Sequence, residues 1–474
     1  MDFQHRPTRR TFLKAVAGAA VCPTFMKCAQ QKKPNVLFIA VDDLRPQLGS
    51  YGKSHVISPN IDSLAREGFV AERCFCNVPV CGASRASLLT GVRPTRDRFV
   101  TYHTWAEKDL PDNLPLPQYF KQNGYYTISN GKVFHHRTDC AESWSGEPWR
   151  PKGDNWRDYV TDKNQEIAAE HDGRALPYEV ADVADNAYYD GKIADKTIED
   201  LRMLSNMDQP FFLATGFLKP HLPFNAPKKY WDLYDRDELP MAENNYRPEN
   251  APDAAMHNWG ELRNYVSIPE TGPLTDEYAR TLVHGYHACV SYTDAQVGRV
   301  LDTLDELGLG DNTIVILWGD HGWNLREHGL WCKHCNFQTS LRAPLIVAAP
   351  HYKPARTSRL LEFVDIYPSL CELAGLSVPE HCQGSSFVPL MSAPEREWKE
   401  AIFSRYHKGE SIRTDRYLYT EWMDNEGSVT ARMLYDHVND PKENVNIAER
   451  PEHAELVKEL SNMLHAGYKD VLPE

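Results

Sequence analysis

The run Cys81-Gly82-Ala83-Ser84-Arg85-Ala86-Ser87-Leu88-Leu89-Thr90-Gly91 places a thiol at a turn, followed by a short helix. Pro79 holds the approach extended, residues 85–89 have helix-compatible composition, and Gly91 supplies a stop. A nucleophile at a helix N-terminus sits among unpaired N–H groups that favour developing negative charge. An arginine one turn later can fork onto an oxyanion. Taken alone, Cys-x-x-x-Arg also describes a half-buried thiol beside a surface arginine. Two acidic pairs add to it. Asp42 and Asp43 end one apolar run, and Asp320-His321 ends another. Adjacent carboxylates repel unless a cation lies between them, and three carboxylates with one histidine suit a hard divalent ion, most simply Ca²⁺. Acidic helix caps would account for one such pair, but poorly for two alongside the Cys81 string.

These residues need elements to carry them. Residues 35–41 and 313–318 are continuous apolar runs, the pattern of strands buried on both faces of a parallel sheet. Ligands of α/β sheets gather at the carboxyl ends of such strands, where both acidic pairs fall. Ser58-Pro59 opens a helix that Gly68 closes, with the serine as cap. Further helices are predicted over 116–123, 186–204, 276–307 (broken near Gly285) and 365–373, and strands over 125–128, 210–215 and 344–349. Residues 138–180 and 222–272 lack periodicity and read as irregular insertions, the first on the substrate rim. Strand–helix alternation to about residue 385 predicts a mostly parallel sheet covered on both sides. Short strands near 401, 411, 417 and 433 and a closing helix over 453–465 then predict a small α+β unit.

The string Cys81, Ala83, Arg85, Thr90-Gly91 resembles the sulfatase signature, in which the cysteine is oxidised to formylglycine and its hydrated aldehyde is the nucleophile. Ala83 stands where the family more often has proline, which leaves open which maturation enzyme acts. Gly131-Lys132-Val133-Phe134-His135, Lys219-Pro220-His221, and Asp320-His321-Gly322-Trp323 continuing through Glu327-His328-Gly329 to Trp331 and Lys333 are similar to the iduronate-2-sulfatase branch. The resemblance implies an alkaline-phosphatase-like α/β sandwich, with a large mostly parallel sheet between helices and a smaller C-terminal subdomain with a short antiparallel sheet. It implies one Ca²⁺ held by Asp42, Asp43, residue 81, Asp320 and His321. Arg85, Lys132 and Lys333 would offset charge on nucleophile and sulfate, His221 would protonate the leaving oxygen, and His135 would take the remaining diol proton. Lys132, His221 and Lys333, with Trp323, His328 and Trp331, would bind substrate, a sulfated carbohydrate such as an iduronate-2-sulfate-like glycan. His284 and His287 have no motif support and read as structural. Two other readings stay open: a phosphate or phosphonate monoester hydrolase of the same superfamily, and a non-catalytic sulfated-glycan-binding protein.

A formal net charge of −14 argues against general nucleic-acid binding and requires a locally basic pocket for any anionic substrate. Thr8-Arg9-Arg10-Thr11-Phe12-Leu13-Lys14 and the short apolar run after it resemble a twin-arginine export signal over residues 1–29, which implies a periplasmic protein. The predicted catalytic domain spans 33–385 and the C-terminal subdomain 386–474. No run is long enough to span a bilayer, and Val21 and Lys27 disfavour lipidation of Cys22 or Cys28. An exported protein can hold disulfides, and Cys371 with Cys382, or Cys332 with Cys335, are candidate pairs. Zinc at Cys332 and Cys335 is the weaker reading, because no second Cys-x-x-Cys accompanies it.

Overall fold

The computed structural model describes residues 32–152 and 156–473. The twin-arginine-like segment and the lipidation candidates lie outside them. A seven-stranded sheet forms the centre: β1 (Asn35–Val41), β2 (Phe69–Phe75), β3 (Tyr126–Gly131), β4 (Phe211–Phe217), β5 (Thr313–Gly319), β6 (Arg342–Ala348) and β7 (Ala355–Glu362). Across the sheet they run β7-β2-β6-β5-β1-β4-β3. All neighbours pair in parallel except β6, which is antiparallel to both β2 and β5.

The alternation along β1 assigns its two faces. Leu37, Ile39 and Val41 pack into one core with residues of the helices Tyr189–Leu204 and Asp276–Glu306. Val36, Phe38 and Ala40 pack into another with residues of Cys81–Thr90 and Ile366–Leu373. Every residue of β1, β4 and β5 is buried, as strands sandwiched between helical layers must be.

Several expectations are corrected. The helix Asp276–Glu306 is continuous through Gly285. A Cβ there would lie 2.8 Å from Trp231 Cη2 and 2.9 Å from Phe224 Cβ, so the glycine permits close packing rather than a break. Ser58 precedes helix Pro59–Glu67 but does not cap it with its side chain. Asp294, reaching over from helix Asp276–Glu306, accepts from the Asn60 and Ile61 backbone N–H groups at 3.0 and 2.7 Å instead. The insertion over 138–180 is not wholly irregular. It contains helix Asp162–Glu170, capped by Thr161, and strand Tyr178–Ala181, which pairs in parallel with Phe224–Pro227. None of the nine described cysteines is in a disulfide. Cys335 Sγ instead lies 3.0 Å from Ser340 Oγ.

Beyond β7 the chain forms a four-stranded antiparallel sheet: β8 (Ala401–Tyr406), β9 (Gly409–Thr414), β10 (Tyr417–Met423) and β11 (Val429–Asp436). Helix Ala454–Ala466 closes its core around Ile412, Tyr419, Leu434 and Leu460.

Candidate active site

β1 and β5 are neighbours and end level, Val41 opposite Gly319. Asp42-Asp43 and Asp320-His321 therefore emerge together at one edge. Asp43 turns sharply there, with φ 56°. Its N–H donates to Asp320 Oδ1 at 3.0 Å, which ties the two strand ends together. Helix Cys81–Thr90 points its N-terminus at the same edge. Ser84 Oγ donates to the Asp320 carbonyl at 2.5 Å. Arg85, wholly buried, donates from Nε to Asp320 Oδ2 at 2.9 Å, from Nη2 to Asp42 Oδ1 at 3.3 Å, and from Nη1 to the carbonyls of Lys132 and Val133. Gly91 ends the helix in the left-handed region, with φ 69°.

Ligand atoms of Asp42, Asp43, Cys81 and His321 all lie within 4.8 Å of one another. Asp320 stands beside them, its Oδ1 3.6 Å from His321 Nε2. His321 Nδ1 is bonded to the Gly322 carbonyl at 2.9 Å, while its Nε2 is buried among the carboxylates without a hydrogen-bond partner. An imidazole whose far nitrogen is held by a carbonyl presents a lone pair on the near one, the arrangement of a metal ligand. The cluster's electrostatics point the same way. Burial pushes Asp43 up, and burial together with neighbouring Asp42 pushes Asp320 up to about 7. Burial opposes ionisation of Asp42 too, yet the Lys132 ammonium holds it well below the usual carboxylate range. Carboxylates crowded this closely attract a cation. The residues fit a divalent ion.

Four basic groups surround position 81. Lys132, just past β3, pairs through Nζ with Asp42. Lys333 Nζ lies 3.0 Å from Asp43 Oδ1 and 2.8 Å from Glu261 Oε1. His221 lies between two cis peptide bonds, before Pro220 and Pro223. Its Nδ1 is 2.6 Å from the Leu222 carbonyl, and its Nε2 is 3.0 Å from Glu261 Oε1. Burial would lower the His221 pKa, but Asp43 and Asp42 carry it up to about 10. His135 goes the other way, lowered to about 4 chiefly by burial, although it hydrogen-bonds Cys81. Burial alone would raise the Cys81 thiol. Lys132, Lys333 and hydrogen bonds from His135 and His221 outweigh it and hold the thiol well below its ordinary value. Position 81 is thus built to carry negative charge at a helix N-terminus.

The comparisons with known proteins agree with this geometry. A model described as Sulfatase matches residues 34–376, and one described as N-sulphoglucosamine sulphohydrolase, C-terminal, matches residues 326–470. Iduronate 2-sulfatase of Mus musculus is 32% identical, over 90% of this chain and 93% of its own length. That of Homo sapiens is 36% identical, over 74% and 71% respectively. The chain belongs to the sulfatase family. Being iduronate-2-sulfatase-like within it, this sulfatase is a sulfuric ester hydrolase. Among solved structures it is similar in fold to a protein in complex with its substrate D-glucosamine-2-N,6-O-disulfate (TM-score 0.72, 21% identity, 92% of this chain and 97% of that one). The phosphonate monoester hydrolase of Agrobacterium radiobacter shares the fold too (TM-score 0.74, 23% identity, 91% and 95%).

A cleft of about 720 Å³ opens over position 81 and is lined by Lys132, His135, His221 and Lys333. Arg85 does not reach it. The guanidinium lies beneath the floor, where it balances Asp42 and Asp320. Trp323, His328 and Trp331 do not reach the cleft of this sulfatase either. Trp323 is wholly buried, with Lys333 Nζ 4.8 Å from its ring centroid, so it supports that lysine from below. His328 stacks on Phe337, its Nε2 3.7 Å from Glu443, and Trp331 belongs to the core. His287 Nδ1 and His284 Nε2 each bond a backbone carbonyl at 2.8 Å. Glu261 was not among the expected residues. A lone acid in an aperiodic segment gives no spacing signal, yet it bridges His221 and Lys333. Trp156, Arg157 and Arg174, from the first insertion, also wall the cleft, and the β8–β9 hairpin adds Tyr406 and His407.

Proposed function

We propose that this sulfatase hydrolyses a sulfate ester on a carbohydrate, a 2-sulfated uronate or similar glycan, using a formylglycine hydrate made from Cys81 and one Ca²⁺. The observation that carries the reading is the convergence of Cys81 and four basic side chains on one cleft, with the buried Asp42–Asp43–His321 cluster against Cys81. The donor chemistry supports the modification as well. A hard ion among carboxylates prefers oxygen to thiolate sulfur, and conversion of Cys81 replaces its sulfur with oxygen. The ion, held by Asp42, Asp43, Asp320, His321 and residue 81, would polarise the sulfate, and the hydrate would supply the attacking hydroxyl.

The chain's own residues do the rest. Lys132 and Lys333 neutralise charge on the sulfate oxygens. His221, its Nδ1 turned to the Leu222 carbonyl, presents Nε2 to the cleft and donates a proton to the departing sugar oxygen. Glu261 Oε1, 3.0 Å from the same Nε2, holds the ring in place and yields that hydrogen bond to the sugar oxygen. His135 takes the proton that must leave residue 81 for turnover to finish. Arg85 acts from beneath, keeping Asp42 and Asp320 in place.

The export segment 1–29, a catalytic unit over 33–385 and a subdomain over 386–474 belong to the same proposal. So do periplasmic placement and a formylglycine-generating enzyme as maturation partner. No described helix is long and apolar enough to cross a membrane. The test is sulfate release from a panel of sulfated saccharides, before and after chelation. Release that chelation abolishes and Ca²⁺ restores supports the reading. Release from no saccharide, with turnover of a phosphate or phosphonate ester, would refute it.

A further inference from the structure

The cations of the cleft are mostly committed. Lys132 serves Asp42, Lys333 serves Asp43 and Glu261, and Arg150 donates to the carbonyls of Phe134 and His135. Arg157 is different. Its guanidinium carbon lies 4.4 Å from the Trp156 ring centroid. No described carboxylate forms an ion pair with it, and its Nε is buried without a hydrogen-bond partner. The nearest described acids are taken. Asp158 pairs with Lys192 at 3.1 Å, and Glu179 accepts from Val160, Thr161, Asn164 and Tyr188. Arg174, on the same wall, has only Asp172 at 3.2 Å, a carboxylate 98% exposed.

This wall adjoins the reacting end. The Trp156 ring meets the His221 ring edge-on, with centroids 5.0 Å apart. A guanidinium stacked on an indole is held flat with its N–H edge free, which suits a planar or tetrahedral oxyanion. A charge that no described carboxylate compensates, beside the leaving-group side of a sulfatase, has no structural use among the described residues, but it has a chemical one. We propose that Trp156, Arg157 and Arg174 form a subsite for a second anionic group of the substrate, carried by the sulfated sugar or its neighbour. The shared chemistry is an anionic oxygen group, from either a uronate carboxylate or a second sulfate. This inference rests on the carbohydrate reading above and adds a selectivity that the reading alone does not require.

The experiment compares the ratio of kcat/KM for a 2-sulfated uronate disaccharide to that for an aryl sulfate with no charged group besides its sulfate, in the wild type and in Arg157→Ala, Arg157→Lys and Arg174→Ala. Arg157→Ala is expected to lower the ratio about tenfold to a hundredfold, mainly through KM, and Arg157→Lys to lower it less. Two further substrates identify the anion. If the carboxyl-reduced disaccharide already behaves in the wild type as the parent does in Arg157→Ala, the group is the carboxylate. If removal of a second sulfate does so, it is the sulfate. An unchanged ratio in Arg157→Ala, with the variant folded and active, would overturn the subsite. A wild type that cleaves the aryl sulfate but no saccharide would instead overturn the carbohydrate reading.

Discussion

Arg85 offers the sharpest mechanical test, because the structure gives it work that the motif alone does not suggest. It is wholly buried and bonded to both Asp42 and Asp320. Arg85→Met keeps much of the volume and removes the charge. Removing one partner of a buried ion pair costs about 3–5 kcal/mol, since the remaining carboxylates stay buried without their counter-charge. For a chain of 474 residues the unfolding entropy is about 1 kcal/mol per kelvin, so Tm falls by about 3–5 °C. Arg85 and the proposed cation balance the same carboxylates. The loss should therefore be larger in chelated protein than in Ca²⁺-saturated protein, and Ca²⁺ should bind the variant more tightly than the wild type, because its carboxylates have lost their other counter-charge. Differential scanning calorimetry with and without chelator, together with calorimetric Ca²⁺ titration, measures each quantity. Arg85→Met with an unchanged Tm and a Ca²⁺ affinity no higher than the wild type's would refute the reasoning. So would a loss of activity with both intact, because Arg85 would then be acting on substrate.

Glu261→Gln removes the charge that holds His221 and Lys333, and about a tenfold to hundredfold fall in kcat/KM is expected in steady-state assays, with a lower Tm as well, because buried Lys333 loses one of its counter-charges. Glu362, buried against Arg93 and Lys399, tests the fold's acid limit. Burial would raise it, but Arg93 and Lys399 hold it down at about 2. A depressed carboxylate stabilises above its unfolded pKa and ceases to do so as pH falls through its folded one. Roughly 3 kcal/mol should therefore be lost between about pH 4.5 and pH 2, and Glu362→Gln should flatten that part of the stability–pH curve measured by denaturant titration. Gly285→Ala forces a Cβ against Trp231 and Phe224 and should cost about 1–3 kcal/mol on thermal unfolding.

What was legible in the sequence follows from what each signal measures. β1 and β5 are buried on both faces, so their runs are apolar throughout and could be read directly, along with the acidic pairs that end them. β2 and β7 were not foreseen. β2 interrupts its apolar run with Glu72 and Arg73, which reach Arg356 and Asp415 at the sheet's margin, and β7 carries Arg356 and Arg359. The reacting residues were legible because they sit in short strings whose spacing the chemistry constrains. Trp331 and His328 belong to the same string as Lys333 but not to the same place. Left-handed turns at Arg326, His328, Cys332 and His334 break the strand alternation, so neighbours in sequence face apart. Glu261, Trp156 and Arg157 come from segments without period, and only the tertiary fold brings them to His221.

The central claim is that Cys81 is the precursor of the nucleophile. Peptide mass spectrometry across residue 81 of protein from a host with a formylglycine-generating enzyme, paired with sulfate release by the same preparation, tests it most directly. The account predicts formylglycine at position 81, activity in proportion to its fraction, and neither in Cys81→Ala. Sulfate release by protein whose Cys81 remains an unmodified thiol would contradict it.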